Sequence, residues 1–263
     1  MTRDAPPALA ARALTVRIGG RTLCRDFTQA FDSAQCWAVL GLNGAGKTTL
    51  IHTLAGVRRP DSGEILLHGD ALHAISRRDI AQRLALLAQD SFDAFDSSVL
   101  ETALIGRHPH TPRWRWMQWE SLEDVEVARS ALAAVDLDEL AMRRVSTLSG
   151  GERERLSIAA ILTQEPRVIL LDEPTSHLDA HHQVAVLELF ARKASAEART
   201  VVMSLHDASL AARYCTHALL MFMDGETSAG PIAEVLGAES LTRLYRHTIR
   251  EINAGGLRLF VPA

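Results

Sequence analysis

Three short stretches of the 263-residue chain are almost wholly apolar and stop abruptly at glycine or polar residues. Cys36–Leu40 runs into Gly41, Val168–Leu171 into Asp172 and Glu173, and Val201–Leu205 into His206. Runs of this kind suit parallel strands covered on both faces, and ligands gather at the C-terminal ends of such strands. Helical patterns lie between them. In residues 47–56, Leu50 and Leu54 stand one turn apart and Gly56 is a stop; a second helix is predicted in residues 181–195. The segment 62–70 alternates apolar and polar positions between turn residues, which predicts a smaller antiparallel sheet. Residues from about 90 to 165 hold helical patterns such as 122–140 with no clear strand, and read as a helical subdomain inserted into an α/β core formed by about 1–89 and 166–263. The tail, 250–263, is expected to end in a short strand.

Composition narrows the class. At 47% hydrophobic and 23% charged residues the chain can bury a core. A net charge of −4 and a pI near 6.3 argue against a nucleic-acid partner, which selects a basic face. Three cysteines, Cys24, Cys36 and Cys215, contain no C-x-x-C pair and read as reduced thiols rather than metal or redox groups. The first residues lack the continuous apolar stretch of a signal peptide, and no run reaches the roughly 18–20 residues that span a bilayer. The expectation is a soluble protein that meets a membrane only through a partner.

The chemistry concentrates at the strand ends. Gly41-Leu42-Asn43-Gly44-Ala45-Gly46-Lys47-Thr48 matches G-x-x-x-x-G-K-[ST] between a predicted strand and a predicted helix, with Thr49 next. At average composition the bare pattern arises in roughly one chain per hundred; the strand–loop–helix context makes chance rarer. Its backbone N–H groups would close around phosphate oxygens, Lys47 would reach the β- and γ-phosphates, and Thr48 would hold Mg²⁺. Asp172, at the end of a buried strand, is where a metal-holding aspartate belongs, and Glu173 is placed to orient or deprotonate the attacking water. His206 ends a third strand at the same sheet edge, which suggests a hydrogen bond to the γ-phosphate or that water. A second glycine turn, Leu148-Ser149-Gly150-Gly151-Glu152, opens another helix about a hundred residues later.

In order along the chain stand the phosphate loop, Gln89, Leu148–Glu152, Asp172-Glu173, Ser176–Asp179 and Ser204–Asp207. This arrangement resembles the nucleotide-binding subunit of ABC transporters over nearly the whole chain. The resemblance implies an ATP- and Mg²⁺-dependent hydrolase with a P-loop NTPase core, a small antiparallel β subdomain and an inserted helical subdomain. It further implies that Ser149, Gly150 and Gly151 cap a γ-phosphate bound by a second copy, in a head-to-tail homodimer enclosing two ATP molecules. By the same resemblance Gln89 contacts Mg²⁺ at the hinge to the helical subdomain, and Asp179 senses the opposite site. One departure stands out: the family places an aromatic in the first strand to stack on adenine, and here the residue is Ile18. Base selectivity is then loose, or another side chain substitutes.

Residues 105–110, the "LSGGERER" turn and residues 204–221 resemble ATPases of bacterial importers for iron–siderophore complexes, cobalamin and haem, nearest to the haemin importers. That implies a dimeric membrane permease as partner, a periplasmic binding protein acting indirectly, and a place on the cytoplasmic face of the inner membrane. The same engine on a siderophore or cobalamin importer is the alternative, and a non-transport ABC ATPase a more distant one. His108, His110, His177, His181 and His182 read as loop and interface residues rather than haem ligands. Residues 112–120 pack Trp114, Trp116 and Trp119 beside two arginines, either a contact with the membrane subunit or a loop with partly buried rings.

Overall fold

The computed structural model describes residues 6–88, 97–111 and 121–263; Gln89 and the Trp114–Trp119 segment lie outside the described residues. The chain begins with a hairpin, β1 (Leu9–Ile18) and β2 (Arg21–Phe31), closed by Gly19 and Gly20. Both glycines have positive φ, 54° and 80°, the conformation a two-residue turn between twisted strands requires. β3 (Cys36–Leu40) then enters a second sheet and leads into α1 (Lys47–Leu54). β4 (Ser62–Leu67) and β5 (Asp70–Ala71) return to the hairpin, giving an antiparallel sheet of order β2-β1-β4-β5. The alternating segment 62–70 therefore sits where its pattern places it.

After α2 (Arg77–Arg83), β6 (Leu84–Leu87) joins the second sheet. Helices α3 (Val99–Leu104), α4 (Leu122–Ala133) and α5 (Gly150–Thr163) follow and pack on one another. The sheet resumes with β7 (Val168–Leu171), then α6 (Ala180–Glu197), β8 (Thr200–Ser204), α7 (Ala208–Tyr214), β9 (His217–Met221) and β10 (Thr227–Pro231). Its order is β10-β9-β3-β8-β7-β6, parallel except for the edge strand β10. Two short helices, α8 (Ile232–Val235) and α9 (Ala238–Tyr245), lead to a hairpin of β11 (Ile249–Ala254) and β12 (Leu257–Pro262). The tail thus forms two strands rather than one, because Gly255 and Gly256, at φ 56° and 80°, supply a turn between them.

The parallel sheet is buried on both faces, which is why its strands read as unbroken apolar runs. Along β3, Trp37 and Val39 face a core shared with the antiparallel sheet and α1, while Cys36, Ala38 and Leu40 face the helices on the other side. The same split separates Leu170 from Ile169 and Leu171 on β7, and Val202 from Val201 and Met203 on β8. Two cores thus clamp one sheet and fix the register in which β3, β7 and β8 end side by side, with Val39 opposite Ser204 and Leu171 opposite Met203.

Candidate active site

Strand β3 delivers the chain to Gly41, and the loop 41–46 turns it into α1. Two glycines are dictated by space. A Cβ at Gly41 would lie 2.8 Å from the Met221 carbonyl oxygen, and one at Gly46 would lie 2.7 Å from Leu23 Cδ1 while the backbone there holds φ 103°. Gly46 also serves as the N-cap of α1, so no side chain caps that helix. The uncapped N–H groups of the first turn, at Lys47, Thr48 and Thr49, face outward together with the helix's positive end, the arrangement that binds anions. Asn43 and Gly44 form the exposed crest of the loop, Ala45 is buried beneath it, and Leu42 accepts the Ala45 N–H at 3.0 Å.

Lys47 is 5% exposed and its Nζ donates to the carbonyl oxygens of Gly41, at 3.0 Å, and Leu42, at 3.5 Å. Burial lowers its pKa below the usual lysine range, opposed by the nearby charges of Glu173 and Asp172. An ammonium resting on two loop carbonyls is a cation held ready for an anion of higher charge.

Asp172 and Glu173 follow the end of β7. Asp172 is 1% exposed; its N–H donates to Leu87 on β6, and its Oδ1 accepts the Ser204 hydroxyl at 2.7 Å. The same hydroxyl accepts the Glu173 N–H at 2.8 Å. Ser204 on β8 therefore ties both acidic residues to the sheet with a single oxygen. Glu173 has φ 52°, a left-handed conformation that costs a non-glycine residue roughly 1–3 kcal/mol and that the surrounding contacts must hold. Its carboxylate lies 2.8 Å from His206 Nε2 and accepts the Ser176 hydroxyl at 3.2 Å. Tyr245 on α9 donates to the His206 carbonyl at 3.3 Å.

These groups line one cleft of about 630 Å³: Asn43, Gly44, Gly46, Lys47, Thr48 and Thr49 on the loop side, and Glu173 and His206 across from them. Ile18, Arg21 and Leu23 from the β1–β2 hairpin complete its wall. Ser149, Gly150 and Gly151 do not line it. Ser149 instead caps α5 in a reciprocal box: its hydroxyl accepts the Glu152 N–H, and Glu152 Oε2 accepts the Ser149 N–H at 2.7 Å, which holds Glu152 below the usual carboxylate range. Among the described residues, nothing beyond its chain neighbours and its own helix backbone lies within 4 Å of where a Gly150 Cβ would sit, and Gly151 packs toward the backbone of His177. Asp179 also stays outside the cleft; it caps α6 by accepting the His182 N–H and pairs with the His182 ring, which lowers its pKa.

Sequence reasoning did not assign Ser204, Ser176 or Arg21. Ser204 left a trace, a hydroxyl inside an otherwise apolar run. Arg21 left none, because its partners lie 23 and 202 residues away.

A divalent cation with a polyphosphate fits this donor set. Asp172 Oδ2 is buried without a hydrogen-bond partner, an oxygen of the kind that a hydrated cation satisfies. Thr48, on the first turn of α1, supplies a hydroxyl on the cleft wall. The Cβ clashes at Gly41 and Gly46 show that the loop backbone is packed tightly against Met221 and Leu23, which fixes the course of the loop along the cleft.

The sequence pattern described as ABC transporter matches residues 24–176. The chain is 36% identical over 258 residues to the ferric enterobactin transport ATP-binding protein FepC of Escherichia coli (strain K12), covering 97% of this chain and 93% of that protein. It is 41% identical over 248 residues to the hemin import ATP-binding protein HmuV of Myxococcus xanthus (strain DK1622), covering 90% of each. A solved chain of an ABC transporter, described as metal-chelate type and captured inward-facing, superimposes with a TM-score of 0.84 at 29% identity over 97% of both chains. Together with the phosphate loop, the strand-end carboxylates and the second glycine turn, these matches place the chain in the ABC transporter family.

Proposed function

We propose that the chain is the ATP-hydrolysing subunit of a bacterial ABC importer, that it works as a homodimer on a membrane permease, and that the cargo is haem. The single observation that carries the cargo is the 41% identity to a hemin import ATP-binding protein across 90% of both chains. Siderophore import is the second reading, supported by the 36% identity to a ferric enterobactin transport subunit. Among the described residues no helix is long and apolar enough to cross a membrane, in keeping with a subunit that acts through a permease at the cytoplasmic face of the inner membrane and answers indirectly to a periplasmic binding protein. In this reading residues 1–89 and 166–263 form the catalytic core and 90–165 the helical subdomain.

Each residue's task follows from its surroundings. Loop N–H groups from Gly41 to Thr49 bind the phosphates of ATP, and Lys47 exchanges two carbonyl oxygens for β- and γ-phosphate oxygens. Thr48 and Asp172, with Gln89, hold Mg²⁺, which neutralises phosphate charge when bound. Glu173 accepts the proton of the attacking water while His206 orients its carboxylate. Ser204, on the adjacent strand β8, holds Asp172 and Glu173 in place at the end of β7. Because Ser149, Gly150 and Gly151 stand outside their own chain's cleft, they serve the cleft of the second copy, and a two-fold axis uses the pairing twice. Asp179, at the tip of α6, meets the partner across that axis. Nucleotide favours the closed pair and hydrolysis releases it.

The test is transport in liposomes holding the subunit, its permease and its binding protein, presented in turn with haemin, a ferric siderophore and cobalamin. Haemin-selective uptake that disappears with Lys47→Ala supports the reading. Uptake of another ligand overturns the cargo, and ATPase activity without uptake of any overturns the importer.

A further inference from the structure

The phosphate end of the cleft is fully equipped, whereas its other end is unusually bare of groups that could recognise a base. That end is the tip of the β1–β2 hairpin. Ile18 and Arg21 are direct cross-strand partners on either side of Gly19-Gly20, so their side chains emerge on one face. Ile18 is 46% exposed, and both line the cleft that holds Lys47 and Thr48.

Arg21 is tied down. Its Nη1 donates to the Gly44 carbonyl at 3.0 Å, and its Nη2 donates to the Met223 carbonyl at 3.0 Å with Met223 Sδ at 3.3 Å. These contacts anchor the hairpin tip to the crest of the phosphate loop and to the segment after β9. No carboxylate pairs with Arg21 among the described residues. Hydrogen bonds to a guanidinium lie in its plane, so all three leave its flat faces available, and a planar, weakly hydrated cation stacks on aromatic rings. The aliphatic Ile18 beside it adds apolar surface. Leu23, the third side chain here, has no polar atom. Of the side chains Ile18, Arg21 and Leu23, Arg21 alone carries polar hydrogens; two backbone carbonyls and one sulfur accept from it, and all its N–H groups lie in the guanidinium plane, directed away from a ring stacked on its face.

We infer that Arg21 is the nucleobase platform of this site: the base stacks on the Arg21 guanidinium against Ile18 and is held by its ring face, with no side chain reading its hydrogen-bonding edge. The site therefore accepts guanine and adenine nearly alike and favours purines over the smaller pyrimidine rings. This inference rests on the nucleotide-binding reading proposed above and adds the residue that sets its base preference.

Binding of ATP, GTP, CTP and inorganic tripolyphosphate to the full chain, measured by calorimetry with Mg²⁺, tests it. The expected result is ATP and GTP dissociation constants within about fivefold of each other, with CTP weaker. Arg21→Ala weakens both purine nucleotides by about five- to thirtyfold, the span of a partly desolvated cation–π contact, and leaves tripolyphosphate unchanged. Arg21→Lys, which keeps the charge but not the plane, does not restore purine binding. Because Arg21→Ala also removes two tethers and can disturb folding, Ile18→Tyr provides an arm at an exposed position: it tightens ATP and GTP together. The inference is overturned if GTP binds more than fiftyfold more weakly than ATP, if Arg21→Lys binds like the native chain, if Arg21→Ala weakens tripolyphosphate as much as ATP, or if Ile18→Tyr changes neither purine. Failure of the underlying reading looks different: the native chain then binds neither ATP, GTP nor tripolyphosphate.

Discussion

Replacing Ser204 by alanine removes one oxygen and cuts two hydrogen bonds at once. The hydroxyl donates to Asp172 Oδ1 at 2.7 Å and accepts the Glu173 N–H at 2.8 Å, and Ser204 itself is fully buried. A hydrogen bond to a charged group contributes about 1.5–3 kcal/mol, and a backbone N–H left without a partner costs about 1–3 kcal/mol. Asp172 Oδ2 already lacks a partner, so the variant leaves both of its buried oxygens unsatisfied. Allowing for partial relaxation, the loss is about 3 kcal/mol. For a chain of this size each kcal/mol moves Tm by about 2–4 °C, so the midpoint should fall by about 6–12 °C. Activity should suffer separately, because the left-handed Glu173 loses the contact that holds its backbone against relaxation. The expected outcome is a kcat lowered at least tenfold with little change in KM for ATP. Differential scanning calorimetry and a steady-state phosphate-release assay measure the two effects. A midpoint within 1 °C of the native chain, with kcat within twofold, would refute the claim that Ser204 holds the acidic pair.

Gly46→Ala places a methyl group 2.7 Å from Leu23 Cδ1 at φ 103°, so it should abolish the ATP-induced rise in melting temperature; retention of that rise would show that the loop tolerates side chains there. Burial raises the pKa of Glu154 on α5, opposed by His177, so the folded chain holds that proton more tightly than the unfolded chain does. The resulting stability is fully present below the ordinary glutamate pKa and is lost as pH rises through the higher folded value. Glu154→Gln should therefore gain stability relative to the native chain as pH rises across the acidic range; denaturant titrations giving a pH-independent difference would contradict this. Cys24, Cys36 and Cys215 are buried, with the Cys24 thiol pushed up to about 11 and that of Cys215 also raised. Iodoacetamide at pH 8 should label none of them in the native chain and all three after unfolding, as read by intact mass; rapid native labelling would place a thiol at the surface.

The parallel core was legible because both faces of its strands are covered: apolar runs such as Cys36–Leu40 and Val168–Leu171 have no polar positions to disguise them. The phosphate loop was legible because its demands are local, glycines where backbone must approach and a lysine at the helix start. Contacts between distant segments were not. Ser204 joins two residues that precede it by more than thirty positions, and Arg21 reaches across to Met223 through a fold that no local pattern encodes. The tail was underread for a related reason: β11 is mostly exposed on both faces, so it lacks the alternation that marks a half-buried strand, and only Gly255-Gly256 hints at a hairpin. The second glycine turn shows the converse. Its motif was plain in the sequence, yet in the folded chain Ser149 caps its own helix and stays outside the cleft, so the phosphate-capping task proposed for the turn requires a second copy.

Light scattering of Glu173→Gln with saturating Mg²⁺ and ATP tests the proposed pairing of two copies. In the proposed mechanism this substitution removes the proton acceptor and spares phosphate binding, so the expected result is a long-lived dimer that forms with ATP, retains two nucleotides per pair and shows almost no turnover. Adding Gly151→Trp, a bulky side chain in the turn proposed to meet the partner, should return the protein to monomer with nucleotide still bound. A chain that stays monomeric at saturating ATP, while binding it, would contradict the claim that the second glycine turn completes a partner's site.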